Sequence, residues 1–223
     1  MFRCDFSRLS RVAPYRVAPY LVATLLVATL PLACATRVIE RQVHVQDGVT
    51  TTLRHQVQDG APVDRGYQHP VEISAERLRR ILAAIAIRSE EGGELVEKPA
   101  IARRLLIPVA RGLSQSLAVA DSSEEIALTA VRRYRRLGIF SVKFLTSFVS
   151  YVSDDLLTIS LSRVEWDIDL GKKSRARRGR LPQPQLGEKV MDFSVIANEA
   201  YEAAGEQSVR VRWRDERWDE PAS

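Results

Sequence analysis

Apolar positions follow three rhythms along this chain, and each predicts a different element. Leu78, Ile81, Leu82 and Ile85 recur at i, i+3, i+4 and i+7, the single stripe of an amphipathic helix. Ser74 stands where an N-cap belongs, and Arg77, Arg79, Arg80 and Arg88 lie mostly on the other side, reading as a solvated face. Gly92-Gly93 breaks the chain. A second helix is predicted from about 100 to 118, opened by Pro99, with Ile101, Leu105, Leu106, Val109, Leu113 and Leu117 on its buried side. Pro108 falls inside it and predicts a kink or a split.

The second rhythm has period two, the mark of half-buried strands. Ile126, Leu128 and Ala130 alternate, as do Phe140, Val142, Phe144 and then Phe148, and Leu157, Ile159 and Leu161. Ser153-Asp154-Asp155 reads as the hairpin turn joining the last two. Neighbouring residues of a strand point to opposite faces, so Asp154-Asp155 is a solvated turn rather than a catalytic carboxylate pair. Tyr67–Ile73 reads as an edge strand, because Pro70 cannot donate to a central ladder. Val190–Ile196 predicts a further strand, Asn198–Ala204 a short helix, and Val209–Arg214 a last edge strand protected by its arginines. The fold class expected is α+β, with two helices packed on a mostly antiparallel sheet of about four to five strands.

The third rhythm is a nearly unbroken run, Leu21 to Ala33, behind a start holding Arg3, Arg8, Arg11 and Arg16 against Asp5. A basic start, a short apolar core and small residues at its end make a secretory signal peptide. The run is too short for a comfortable membrane span of about 20 residues. Pro31-Leu32-Ala33-Cys34 resembles the lipobox of bacterial lipoproteins, with Ala33 and Cys34 on the pattern and Pro31 and Leu32 off it. That resemblance implies cleavage before Cys34, which would carry a diacylglycerol and a further acyl chain such as palmitate. Ala35 after the cysteine then implies sorting to the outer membrane, facing the periplasm. Ala33-Cys34-Ala35 is also an A-x-A site that would release a chain starting at Thr36, and an uncleaved anchor is the third outcome. Cys4 lies in the leader, so lipidation would account for the one thiol left in an exported chain.

The leader also changes the meaning of charge. The chain carries 33 basic and 28 acidic side chains, net +5; residues 1–33 hold four arginines and one aspartate, so their loss leaves +2. A near-neutral exported domain argues against nucleic acid as a partner. What remains concentrated is Lys172, Lys173, Arg175, Arg177, Arg178 and Arg180, six cations in nine residues followed by Pro182 and Pro184. The run reads as a basic linker near 171–187, or as a surface for anionic lipid or polysaccharide.

Tandem pentads, Arg11–Tyr15 repeated at Arg16–Tyr20 and Leu21–Leu25 repeated at Leu26–Leu30, are too short for solenoid units. Val45-Gln-Asp-Gly48 returns as Val57-Gln-Asp-Gly60, where Asp-Gly suits tight turns. Residues 34–66 are accordingly either two short strands or an extended polar tether behind the lipid anchor, with the tether preferred, and 67–223 make a single domain. His44 and His55 fall in the tether and His69 beside Pro70, none with metal-ligand or catalytic spacing. Ser114 and Ser116 have no base nearby in sequence. No hydrolase, zinc-protease, phosphate-loop or dinucleotide motif is present, so no cofactor, metal or catalytic residue is expected.

The order of edge strand, two helices and strand meander, from Tyr67-Gln-His-Pro70 to Trp166, is similar to a group of uncharacterised bacterial envelope lipoproteins, a resemblance that implies no activity. The expectation is a non-enzymatic lipoprotein, a binding or assembly subunit held on the membrane by Cys34 and working with an envelope protein partner. The alternatives are a secreted or periplasmic enzyme acting on envelope polymers, and a protein gripping anionic lipid or polysaccharide through Lys172–Arg180.

Overall fold

The computed structural model describes residues 36–136, 140–168 and 181–219. The chain divides into two compact units, Met1–Cys34 and Ala35–Ser223, and all of the described residues belong to the second. Its frame is an eight-stranded antiparallel sheet. Strand β1 (Arg37–Gln46) pairs with β2 (Val49–Gln58), β2 with β6 (Glu125–Arg136), then β7 (Phe140–Ser153), β8 (Leu156–Asp167), β11 (Ser208–Val211) and β10 (Glu202–Ala203) follow; β3 (Ala61–Pro62) adds to β2. A separate sheet orders β5 (Glu94–Pro99), β4 (Ala86–Glu91) and β9 (Phe193–Val195).

This overturns the expected four to five strands. Eleven strands are described and only two α-helices, α1 (Ala75–Ala84) and α2 (Leu106–Val119). The missing strands hid in polar sequence. Residues 37–58, expected as a tether, form the hairpin β1–β2, turned by Asp47 and Gly48 at φ 53° and 77°. In β2, Val49, Thr51 and Leu53 point into the core while Thr50, Thr52 and Arg54 point away, a clean alternation that threonines disguised. Gly92-Gly93 is the turn of the hairpin β4–β5 rather than a break.

Other expectations shift locally. Tyr67–Ile73 is not a strand: Tyr67 and Gln68 donate to the carbonyls of Ser122 and Val152, and Val71 to that of Leu117, so the segment is pinned between elements without joining a ladder. Its His69–Pro70 peptide is cis. The second helix starts later than 100, after a 3-10 turn at Arg103–Leu105, which puts Pro108 in the first turn of α2 where no intrahelical bond is lost. Residues 198–204 hold a bridge and β10 in place of a short helix, and β11 lies inside the sheet with Val209 and Val211 fully buried.

Both helices cover one face of the sheet. Leu78, Ile81, Leu82 and Ile85 meet Val109, Leu113 and Leu117 over Leu53, Ile126, Leu128, Phe148, Ile159 and Leu161, all buried. Ser74 caps α1 as expected, its Oγ accepting from Arg77 N at 3.2 Å. Two arginines of α1 are more than a solvated face. Arg77 Nη1 donates to the Trp213 carbonyl at 3.3 Å and Arg80 Nη1 to that of Trp218 at 2.5 Å, tying the C-terminal segment over the helix. α2 sits very close to the sheet at Gly112, where a Cβ would lie 3.0 Å from His44 Cδ2 and 3.2 Å from Thr51 Cγ2. One turn on, Ser116 Oγ donates to Thr51 Oγ1 at 2.6 Å.

The other face is small and polar: Ala127, Ser147, Val149, Thr158, Ser160 and Ser162 are all buried there. Residues 181–188 lie against it. The Pro184 carbonyl accepts from Arg54 Nη1 at 2.5 Å, and Glu188 reaches Arg163 at 3.5 Å. The crossing of this segment over β2 makes a well-defined recess on that face.

Candidate functional site

The recess is built from charges that the ladder itself sets opposite one another. Arg54 of β2 and Glu125 of β6 are register partners, and Arg54 Nη2 meets Glu125 Oε1 at 2.5 Å. The pair is largely sequestered, with the side chains 8% and 19% exposed. Above it opens a cleft of about 480 Å³ between β1, β2, the Arg65–Tyr67 stretch and residues 183–186. Val38, Glu40, Gln56, Arg65, Gln183 and Gln185 line it. Two acids and two arginines border the cleft, so its formal charge cancels, and three glutamines offer both donors and acceptors.

Tyr67 forms the inner wall. Its ring stacks on Tyr151 at 4.6 Å between centroids and meets His69 edge-on at 5.9 Å. Burial, reinforced by Glu125, pushes the Tyr67 phenol up to about 12, so it stays protonated and offers an O–H. His69 is buried behind it. Burial brings its pKa down to about 4 against the opposing pull of Asp121, and its Nε2 accepts from Val152 N at 3.4 Å. The imidazole is therefore neutral at pH 7 and faces the main chain rather than the cleft.

Beside the cleft runs a second group of charges. Glu124, 5% exposed, accepts from Arg41 Nη2 at 3.1 Å and from Asp121 N at 3.1 Å, with His55 Nδ1 at 3.8 Å. Two hydrogen bonds from Ser123, with the side-chain one dominant, hold the Asp121 carboxyl below its ordinary value. A cleft of the kind a polymer-cleaving enzyme requires thus exists, and the acid at its floor, Glu125, is paired with Arg54. Outside its lining, Glu124 pairs with Arg41, and Ser114 and Ser116 of α2 donate to the Ile73 carbonyl and to Thr51 on the helix side of the sheet.

Of the residues singled out from sequence, His55 lines the cleft. Cys34 and the basic residues Lys172, Lys173, Arg175, Arg177, Arg178 and Arg180 lie outside the described residues. His44 and His55, expected in a tether, are strand residues, and His44 Nδ1 sits 2.8 Å from Gln115 Oε1. Among the described residues no three His, Cys, Asp or Glu side chains converge as a metal site, and no helix is long and apolar enough to cross a membrane. Sequence reading missed Arg54, Glu125 and the glutamines. The one available signal was Arg54 itself, the only charge between Val49 and Gln58.

No family model matches the chain, and no curated protein or solved structure is similar to it.

Proposed function

We propose that this chain is an envelope lipoprotein, a non-enzymatic binding or assembly subunit held at the membrane surface by acylated Cys34. The observation carrying the anchor is the lipobox-like Pro31-Leu32-Ala33-Cys34, and the boundary between units agrees with a cut there. The described domain belongs to the unit beginning at Ala35, and β1 begins at Arg37, so cleavage before Cys34 takes no residue from the fold. The spacer expected between anchor and domain is not needed, since residues 37–58 are sheet. By the identity of Ala35, the anchored form belongs in the outer membrane, facing the periplasm.

The binding role rests on the cleft, which offers amides, a phenol and matched charges, with Glu125 paired to Arg54 at its floor and Glu40 exposed at its edge. That arrangement recognises polar groups without lending itself to proton transfer. It favours a binding subunit over the alternative of an enzyme acting on envelope polymers. Metabolic labelling with a palmitate analogue tests the anchor. Wild type should be labelled and Cys34→Ser should not; an unlabelled wild type, or label retained in Cys34→Ser, overturns it.

A further inference from the structure

We infer that β1 is a docking edge for an extended segment of another envelope protein, which pairs antiparallel with Arg37–Gln42 and lays alternate side chains at the mouth of the cleft. This rests on the reading of the chain as a binding subunit and names the partner's chemistry.

Among the described residues β1 pairs with β2 alone, at the end of the eight-stranded sheet. Its bulge falls between Gln42 and His44, so Arg37–Gln42 is a regular six-residue edge. Edges left to solvent are usually blunted by charge, proline or bulges along their length. This edge carries Arg37, Glu40 and Arg41, and between these charges it exposes two consecutive apolar residues, Val38 at 50% and Ile39 at 41%, one on each face of the sheet. The cleft opens beside the same strand: Val38 and Glu40 line it, and their register partners are Gln56 and Arg54. An added strand would therefore supply main-chain hydrogen bonds to the edge and side chains to the recess, which is recognition by β-addition.

Charge specifies the segment. Residues directly opposite in an antiparallel pair share a face, and opposite charges there are favourable. Facing Glu40, Ile39, Val38 and Arg37 in turn, the partner should read basic, apolar, apolar, acidic from its N-terminus. A second copy of this chain fits poorly. Two β1 strands related by a twofold axis must oppose residues of the same face. Centring them on Ile39 sets Arg37 against Arg41, centring on Glu40 sets two carboxylates together, and centring on Val38 sets Arg37 against Ile39.

The test uses the full chain purified from envelopes in detergent and two acetylated nonapeptides of equal composition, one with the core Lys-Val-Val-Glu and the other Glu-Val-Val-Lys. Fluorescence anisotropy should show the first binding about five- to tenfold more tightly, as two reversed cross-strand charge pairs imply. Amide exchange should slow at residues 37–42. Glu40→Lys, at an exposed position, should abolish the preference with an unchanged circular dichroism spectrum. Equal affinity for the two peptides, or slowed exchange on another strand, overturns the inference. So does binding of soluble peptidoglycan fragments at the cleft when neither nonapeptide binds. Because this assay does not depend on acylation, a failure of palmitate labelling leaves its outcome readable.

Discussion

Arg54 and Glu125 face each other across the β2–β6 ladder, and the Pro184 carbonyl closes the guanidinium on another side. One arginine thus joins two neighbouring strands and the segment crossing them. A buried charge is stable only while paired, and removing one partner of such a pair typically costs about 3–5 kcal/mol. Glu125→Gln should therefore destabilise the domain by about 3 kcal/mol, with the partial exposure of Glu125 keeping the loss at the low end of that range. The double variant Arg54→Met/Glu125→Leu should recover most of it, because no unpaired charge is left. Urea unfolding of the three proteins measures this; a double variant no more stable than Glu125→Gln would show that the pair is not what the segment depends on.

Acid should weaken the fold through His69. Its folded pKa, about 4, lies below the 6.5 of an unfolded histidine, so between these values the unfolded chain binds more protons. The contribution is complete above pH 6.5 and is lost as pH falls toward 4, amounting to up to about 2–3 kcal/mol. Carboxylates with lowered pKa, such as Asp121, add their own loss only at lower pH. Comparing melting from pH 7 to 4.5 isolates the histidine: His69→Gln should flatten the slope in that window, and an unchanged slope would exclude it as the source.

How much of this could be read from the chain depends on where each element keeps its apolar residues. The helix stripe of Leu78, Ile81, Leu82 and Ile85 and the alternations in β6–β8 were legible because every second or third residue is fully buried. β1 and β5 were not, because their residues are mostly exposed and the ladder forms without an apolar signature. β2 fell between, since Thr51 does the work of a core residue while looking like a loop residue. The cleft was out of reach for another reason. Glu125 and Pro184 are separated by 71 and 130 positions from Arg54, which joins them, and no spacing rule links such residues before the strand order is known. The same order decides that Arg77 and Arg80 bind tryptophan carbonyls, which a helical wheel shows only as an outer face.

Gly112 should be intolerant of a methyl group for a reason that can be removed. A Cβ there meets His44 Cδ2 at 3.0 Å, closer than side chains ordinarily approach. In an exposed helix the change to alanine gains up to about 1 kcal/mol. Here the clash should reverse the sign, making Gly112→Ala destabilising by about 1 kcal/mol, of the order seen for overpacked interiors. His44→Ala removes the nearer of the two contacts and leaves Thr51 Cγ2 at 3.2 Å, so Gly112→Ala should cost clearly less in that background than in the wild type. A double-mutant cycle by chemical denaturation checks the coupling; additive effects would mean that α2 does not bear on β1 through this contact.

The short distance between Cys34, the proposed anchor, and the fold makes a last prediction. β1 starts at Arg37, three residues after Cys34, and pairs from its first residue with Val57. Three extended residues reach only about 10 Å, so an acylated chain would hold the start of β1 against the head groups. Arg37 and Arg41 should then resist trypsin in intact envelopes more than the same sites do in detergent, where no bilayer shields them. Inserting ten Gly-Ser residues after Thr36 should remove that protection, because a flexible linker of that length spans about 17 Å on average. It should leave melting unchanged, since no residue of the sheet is altered. Equal cleavage of the wild type in envelopes and in detergent would mean that the domain stands free of the surface. Protection that survives the insertion would place its cause in the domain or a bound partner rather than in the membrane.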